Sequence, residues 1–263
     1  MNYIELQIIK AKRRRLIKKG AIILLLLILA GFAVIGVLSL TKPLAGDIDI
    51  AVVRIEGTMV SGLAQSGGYV GSEYVGGQIR RAADDPLIRA IVLRIDSGGG
   101  TPTAAQEIIR DILYAREKKP VVVSMGSIAT SAAYYVSAYA DRIYSSPDTF
   151  TGGIGVIWVF FDRSEQFDRE GIGVEVVKSG EMKDMTHSYR NLSQDEVDLA
   201  QGLVDASLNR FIEDISSQRN ITRESIDDAR LIRGEDALTL GLVDELGNLQ
   251  DAIAGARVIA RAR

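Results

Sequence analysis

Apolar residues in this chain fall into three kinds of run. Ala21–Leu40 is 20 residues long, rich in Leu and Ile, and carries no charge. Short runs of β-branched and aliphatic residues read as strands: Ile48–Ile55, Ala90–Ile95, Val121–Met125, Val156–Phe161 and Val174–Val177. Between them lie longer mixed segments that read as helices. These are Tyr74–Ala83, ended by Asp84-Asp85-Pro86, then Thr103–Lys118, Ser131–Ala140 and Ser193–Gln218, the last with the capping-box start Ser193-x-x-Glu196. Two short helices, Ser225–Ala229 and Glu235–Leu240, precede a closing segment Asn248–Arg261, and Met59–Gly71 reads as a glycine-rich, flexible loop. Strands alternating with helices imply βαβ crossovers and a mostly parallel sheet, so residues 48–263 are expected to form one large α/β domain.

The first apolar run bears on where that domain works. At about 1.5 Å per residue it spans the ~30 Å hydrocarbon core of a bilayer. Residues 1–20 precede it with seven Lys and Arg, from Lys10 to Lys19, against Glu5 alone. Such a cluster stays on the cytoplasmic side and suits contact with anionic membrane lipid. The expected organisation is a basic cytoplasmic tail (1–20), a transmembrane helix (21–40), a linker (41–47) and a folded domain outside the cytoplasm (48–263). That makes the chain a single-pass protein of the cell membrane. A cleaved signal peptide would have a shorter apolar core of ~7–15 residues and a small-residue cleavage site, which the exit SLTKPLAGD lacks.

Composition then narrows the chemistry. The net charge is −3 despite the basic tail, so the remainder is more acidic still, which argues against nucleic acid as a partner. There is no Cys and a single His, His187. Cysteine nucleophiles, Cys-ligated zinc and zinc sites built on several His are excluded, and no metal or cofactor is implied. A Ser-His-Asp triad would have to use His187, and a lone His reads as a surface or rim residue. The base of a hydrolase here would then be Lys, Asp or Glu.

Two strand–turn–helix units have turns of small residues. The first is Val92–Thr103 (VLRIDSGGGTPT), where three glycines after a buried strand let another backbone come close. No Lys-Ser/Thr follows and the spacing is not G-x-G-x-x-G, so a phosphate loop is not indicated. A structural turn remains, or one wall of an oxyanion hole whose edge also pairs with an extended substrate. The second unit is Val121–Ile157. Its strand enters the turn Gly126–Thr130, and Ser131 opens the next helix. A hydroxyl there sits beside unpaired backbone N–H groups and the positive end of a helix. Three serines compete. Ser124 lies inside the strand, Ser127 lies in the turn, and Ser131 has an ordinary N-cap as its plain alternative. Ala132 and Ala133 are small enough to admit a substrate to the backbone. Tyr134, Tyr135 and Tyr139 read as packing residues. So do Trp158, Phe160 and Phe161, with a neighbouring subunit or a substrate groove as alternatives.

Taken in order, IDSGGG, SMGSIATSAAYYVSAYADRIYSSPDTFTGGIGV, SGEMKDM and GEDALTLGLVDELGNLQDAI resemble the signal peptide peptidase A family, over nearly all of Ile48–Ile253. The resemblance implies a Clp-protease/crotonase-like α/β domain, a spiral of repeated ββα units, preceded by one transmembrane helix. It implies a membrane-anchored serine endopeptidase with a Ser/Lys dyad and no cofactor. Its substrates would be cleaved signal peptides or other membrane-associated peptides, and it would form a homo-oligomeric ring or dome. The family's serine, in a segment like A-S-G-G-Y-Y, falls on Ser131, and its lysine, in a segment like S-G-x-Y-K-D, falls on Lys183. Its loop N-S-P-G-G falls on Asp96–Gly100, which makes Gly99 and Ala132 the oxyanion donors and places substrate along Gly98, Gly100 and Thr101. The two dyad residues can come from one chain or from two.

This chain departs from the pattern at Asp96 for Asn, Gly98 for Pro, Ala132 and Ala133 for two glycines, and Gly153 for a serine that helps hold the lysine. Thr151 or a water is the candidate to replace that last hydroxyl. To act as a base, Lys183 must be neutral. Burial lowers a Lys pKa from ~10.4 by ~3–5 units, and three units correspond to ~4 kcal/mol. Asp184 would oppose this if it pointed the same way, and Lys178 is the second candidate base. The competing readings are a stomatin-associated type of membrane protease, an acyl-CoA enzyme on the same fold, and a catalytically inactive crotonase-fold scaffold.

Overall fold

The computed structural model describes residues 50–226 and 228–263. The basic tail, the expected transmembrane helix and the linker lie outside the described residues, as do the first two positions of the strand expected from Ile48. Among the described residues no helix is long and apolar enough to cross a membrane. In chain order the elements are β1 (Ile50–Glu56), β2 (Thr58–Val60), β3 (Tyr69–Gly71), α1 (Ser72–Asp84), β4 (Ala90–Ser97), α2 (Pro102–Arg116), β5 (Val121–Thr130) and α3 (Ala132–Ala138). There follow β6 (Arg142–Ser145), β7 (Phe150–Gly152), α4 (Ser164–Glu170), α5 (Gln194–Gln218), β8 (Leu231–Arg233), α6 (Gly234–Thr239), β9 (Glu245–Leu246) and α7 (Leu249–Ala262).

The apolar runs of β4 and β5 become central strands because both of their faces are covered. Strands β1, β4, β5, β6 and β9 run parallel in that order. Side chains alternate between the two faces of β4. Ile91, Leu93 and Ile95 join the main core with Ile79 of α1 and Ile108 and Ile112 of α2. Ala90 and Val92 point the other way, to Val122, Tyr144 and the small residues Ala252 and Ala256 of α7. Helix α7 can lie this close because Gly255 has no side chain, where a Cβ would stand 2.1 Å from the Tyr144 hydroxyl. The result is a mixed α/β architecture with a mostly parallel sheet, as the alternation of strands and helices predicts.

Strand β5 positions the site. Its first half pairs with β4 and β6, and its end, Ile128–Thr130, pairs with β7, which continues antiparallel to β8. Between these halves the register against β4 shifts, from Ile95 opposite Met125 to Ser97 opposite Ala129, so β5 carries extra residues there. Asp96 fills the gap, its Oδ1 accepting from the Ile128 N–H at 3.1 Å. Gly126 passes over that carboxylate, where a Cβ would lie 2.6 Å from the Asp96 Cγ. The buried Thr149 hydroxyl donates to the Gly126 carbonyl at 2.8 Å. The bulge bends β5 and aims the residue that follows it.

Several expected elements differ. Among the described residues Val156–Phe161 and Val174–Val177 pair with no strand; they belong to an irregular arm, interrupted by α4, in which Ile157, Val159, Phe161 and Val177 are exposed. Their β-branched pattern satisfies the local requirement for a strand, but among the described residues no neighbouring edge accepts their hydrogen bonds. Trp158 and Phe160 pack on each other, with ring centroids 4.9 Å apart, rather than in the core. The loop expected over Met59–Gly71 pairs its two ends as β2 and β3. In place of a helix over Ser225–Ala229 there is a 3-10 turn at Arg223–Ser225 and a left-handed Ala229 at φ 54°, Asp227 being outside the described residues.

Asp96→Ala should leave the Ile128 N–H without its acceptor and cost about 1–3 kcal/mol, whereas Asp96→Asn keeps an acceptor and should cost less than half as much. Thermal unfolding checks this, at roughly 2–4 °C per kcal/mol for a domain of this size. Equal stability of wild type and Asp96→Ala would show that the bulge does not need the carboxylate.

Candidate active site

Ser131 follows β5 directly and precedes α3, at φ 53° and ψ −127°. A residue with a Cβ seldom adopts positive φ, and such strain clusters where geometry serves function. The same type of turn, strand to strained serine to helix, exposes the nucleophilic serine of α/β-hydrolases. The Ser131 N–H donates to the Gly152 carbonyl at 2.9 Å, and the Ser131 carbonyl accepts from the Tyr135 N–H at 2.9 Å. Its side chain makes no capping bond to the helix, so the ordinary N-cap role is not the one observed. The other two serines are placed differently. Ser124 is buried and accepts from the Arg94 guanidinium at 2.9 Å, and Ser127 is exposed on the bulge.

The Ser131 side chain borders a cavity of about 100 Å³ whose walls include Gly100, Ala132, Tyr135, Val156 and Phe211. Ala132 opens α3, so its N–H is among the helix-end donors that have no intrahelical acceptor. Gly99 lies against the serine at φ 111°, where a Cβ would come within 2.9 Å of the Ser131 Cβ and 3.1 Å of the Ala132 nitrogen. Its own N–H donates to the Ser97 hydroxyl at 3.1 Å.

The rest of the glycine-rich stretch is paired along one edge. Met59 donates to the Gly99 carbonyl at 2.8 Å and accepts from the Thr101 N–H at 2.9 Å. Gly100, the residue opposite Met59, therefore turns its polar backbone away from β2, and it lines the cavity. A side chain there would strike the Met59 carbonyl, 2.0 Å from the Cβ position. Thr101 is engaged structurally as the N-cap of α2, accepting from the Ala104 N–H at 3.3 Å. The Gly98 carbonyl accepts from the Thr130 hydroxyl at 3.1 Å.

The tyrosines of α3 divide the work. Tyr134 is fully buried and donates to the Leu242 carbonyl at 3.0 Å, as a packing residue should. Tyr135 has its ring 4.6 Å from Phe211 of α5 and donates its hydroxyl to Asp214. Burial, then the Asp214 carboxylate, pushes the Tyr135 phenol well above its ordinary value, so it stays protonated. Phe211 and Tyr135 as cavity walls are not legible in the sequence, because they meet across two helices far apart in the chain.

Lys183 lies elsewhere. It sits in a 3-10 turn, Glu181–Asp184, is exposed, and is not among the residues around the Ser131 cavity. Among the described residues its ammonium makes no ion pair. Lys178 is committed to the Glu181 carbonyl at 2.9 Å and to Asp184 at 3.0 Å. His187 is exposed and stacks on Tyr189 at 5.7 Å, a rim position. The Thr151 hydroxyl donates to the Ala129 carbonyl at 2.8 Å in the interior, so it braces β5 instead of replacing the missing serine at Gly153.

Comparison with known proteins adds to this geometry. The description "Peptidase family S49" matches residues 114–262. Protease 4 of Salmonella typhi is 35% identical over 227 residues, 85% of this chain and 36% of that protein. Protease 4 of Haemophilus influenzae is 32% identical over 81% of this chain and 35% of its own length. A putative signal peptide peptidase SppA of Enterococcus faecium is 30% identical over 67% of this chain and 52% of its own. The chain thus spans about a third of the two Protease 4 sequences. Among solved structures, a mutant of the membrane-bound stomatin-specific protease 1510-N superposes with a TM-score of 0.52 over 79% of this chain and 83% of its own, at 14% identity, which is a likeness of fold. With a strained serine at the end of a bulged parallel strand, an adjoining glycine-rich loop and these relatives, the chain belongs to peptidase family S49.

Proposed function

We propose that this chain is a membrane-anchored serine endopeptidase in which Ser131 is the nucleophile and Lys183 the general base. The observation that carries the reading is the strained backbone of Ser131, which lines a cavity next to Ala132 and whose hydroxyl makes no hydrogen bond among the described residues. The Ser131 Oγ attacks a peptide carbonyl while neutral Lys183 takes its proton and later gives it to the leaving amine. Water then hydrolyses the acyl-enzyme by the same route. The Ala132 N–H and the Gly99 N–H, released from or shared with Ser97, hold the oxyanion, each contributing ~3–4 kcal/mol when aligned. Substrate lies extended beside Gly98 and Gly100, on the edge that Met59 leaves open, with small apolar side chains flanking the scissile bond. The expected substrates are cleaved signal peptides and other membrane-associated peptides. The domain carries the crotonase-like spiral implied by its sequence motifs.

The separation of Lys183 from the Ser131 cavity favours a homo-oligomer, a ring or dome, in which the arm of one copy reaches the cavity of the next. Exposed Ile157, Val159, Phe161 and Val177 along that arm supply the apolar surface such a contact would bury. Each active site is then completed by two chains. The stomatin-specific protease is similar in fold, and that likeness assigns no substrate here.

Orientation follows from the basic residues before Ala21–Leu40, with residues 48–263 outside the cytoplasm. Protease added to intact spheroplasts should digest or release the domain, and full protection beside a protected cytosolic control would reverse the orientation.

One set of variants tests the chemistry and the sharing together. Peptidase activity of the full-length protein should rise with pH into the alkaline range, because deprotonation of Lys183 activates it. Ser131→Ala and Lys183→Ala should each abolish turnover, and Lys183→Arg should be as inactive as Lys183→Ala, since Arg does not deprotonate in this range. Mixing Ser131→Ala with Lys183→Ala protein should restore a fraction of the activity. A folded Lys183→Arg protein that still cleaves peptide would remove Lys183 as the base, and no recovery on mixing would place both residues in one chain.

A further inference from the structure

The turn that carries Lys183 is fastened by its next neighbour in sequence. Asp184 is 5% exposed, although the other residues of the turn, Glu181, Met182 and Lys183, are exposed. Its Oδ1 accepts from Arg190 Nη2 at 2.7 Å and from Lys178 Nζ at 3.0 Å. Its Oδ2 accepts from the Tyr189 hydroxyl at 2.6 Å and from Arg190 Nε at 3.2 Å. Arg190 then reaches Glu196 of α5, which is 2% exposed, through Nη2 at 2.7 Å and Nη1 at 2.8 Å, and donates to the Asn191 carbonyl at 2.8 Å. Every N–H of the guanidinium is used, in the fork geometry that a lysine lacks. Glu196 closes the chain of contacts as the capping-box residue of α5, accepting from the Ser193 N–H at 2.8 Å.

One guanidinium therefore ties the Lys183 turn to the start of a 25-residue helix. It also fully engages the carboxylate closest in sequence to the lysine. Arg190, followed by Tyr189 and Lys178, holds Asp184 far below the usual carboxylate range, so it is charged at any working pH. Without Arg190 the carboxylate would keep Lys178 at 3.0 Å and the Tyr189 hydroxyl at 2.6 Å but would lose both guanidinium contacts, and Lys183 is the cation next to it in sequence. The other charged groups around the turn are Glu181, which faces Lys178 at 3.9 Å, and Asp162 and His187, which share a shallow pocket beside it. Asp162 is capped by the Ser164 N–H at 2.9 Å.

We propose that Arg190 is a positioning residue for the base: by binding Asp184 on both oxygens it fixes the turn that presents Lys183 and keeps Asp184 from becoming the counter-ion of Lys183. This rests on Lys183 being the base. A lysine without a counter-ion loses its proton more readily, and an opposite charge within ~4–6 Å reverses that by ~1–3 pKa units. The arrangement uses the acidic neighbour of the lysine to build the turn while withholding it from the lysine itself.

The test is the pH dependence of kcat/KM of the full-length protein on an internally quenched peptide with small apolar residues at its centre. Arg190→Gln should move the ascending limb of the profile to higher pH by about 1–3 units, with activity below the limb falling ~10-fold or more. Arg190→Gln combined with Asp184→Asn should return the limb to within about half a unit of wild type, although it has lost more hydrogen bonds than the single variant. Asp184→Asn alone, which keeps Arg190 paired with Glu196, should leave the limb in place or lower it. A limb unmoved in Arg190→Gln, or one that stays displaced in the double variant, would reduce Arg190 to a structural residue and overturn the inference. If Arg190→Gln does not fold, a limb moved upward in Asp184→Asn overturns it equally. Failure of the underlying dyad shows differently, as peptide cleavage retained by Lys183→Ala.

Discussion

The backbone of Ser131, at φ 53° and ψ −127°, is the constraint to which the surrounding structure answers. Such a conformation costs about 1–3 kcal/mol for a residue with a side chain, and it survives because its neighbours leave no alternative. The Ser131 N–H is taken by Gly152, the Thr130 hydroxyl by Gly98, and the Thr151 hydroxyl by Ala129. Gly152 and Gly153, both at positive φ, carry the chain past the serine. A Cβ at Gly153 would come within 3.3 Å of the Thr130 side chain. Upstream, the bulge over Asp96 lets one strand pair in parallel first with β6 and then with β7. The serine is thus fixed by a core that packs around β4 and β5, and its hydroxyl makes no hydrogen bond among the described residues.

The proposed base is supported in another way. Lys183 is carried on an exposed turn whose fixed points are charged, with Asp184, Arg190 and Glu196 linking it to α5. Buried ion pairs of this kind contribute modestly to net stability but specify geometry and are costly to break singly. The proposed nucleophile therefore follows a strand of the apolar core, and the proposed base sits on a turn held by charged side chains. An arm that buries its apolar residues only against another copy would make the assembled site depend on oligomerisation.

Legibility in the sequence followed the range of the interactions. Strands β1, β4 and β5 and helices α2 and α5 were readable because their signals are local: apolar β-branched runs, covered on both faces in β4 and β5, and the capping box at Ser193. Strands β6 to β9 are only two to four residues long and include Arg142, Arg233 and Glu245, so nothing in their composition separates them from loops. Val156–Phe161 and Val174–Val177 were misread because an apolar β-branched run reports a need for burial without saying whether the partner lies in the same chain. At the site, the strand–turn–helix pattern located Ser131, but its left-handed backbone, the Asp96 brace and the Tyr135–Phe211 wall depend on residues brought together from distant elements. The motif singles out Lys183 only by resemblance, and the structure does not bring it to the Ser131 cavity; the engagement of Asp184 by Arg190 could not be foreseen from adjacency alone.

The central claim is that Ser131 is an activated nucleophile and that Lys183 activates it. The most direct measurement is covalent labelling of the full-length protein with a fluorophosphonate probe, followed by mass spectrometry of the tryptic peptides. The account predicts a single adduct on Ser131, formed faster as pH rises and lost in Lys183→Ala. An adduct on Ser124 or Ser127, labelling of Ser131 that is unchanged in Lys183→Ala, or no labelling of a protein that cleaves peptide would contradict it.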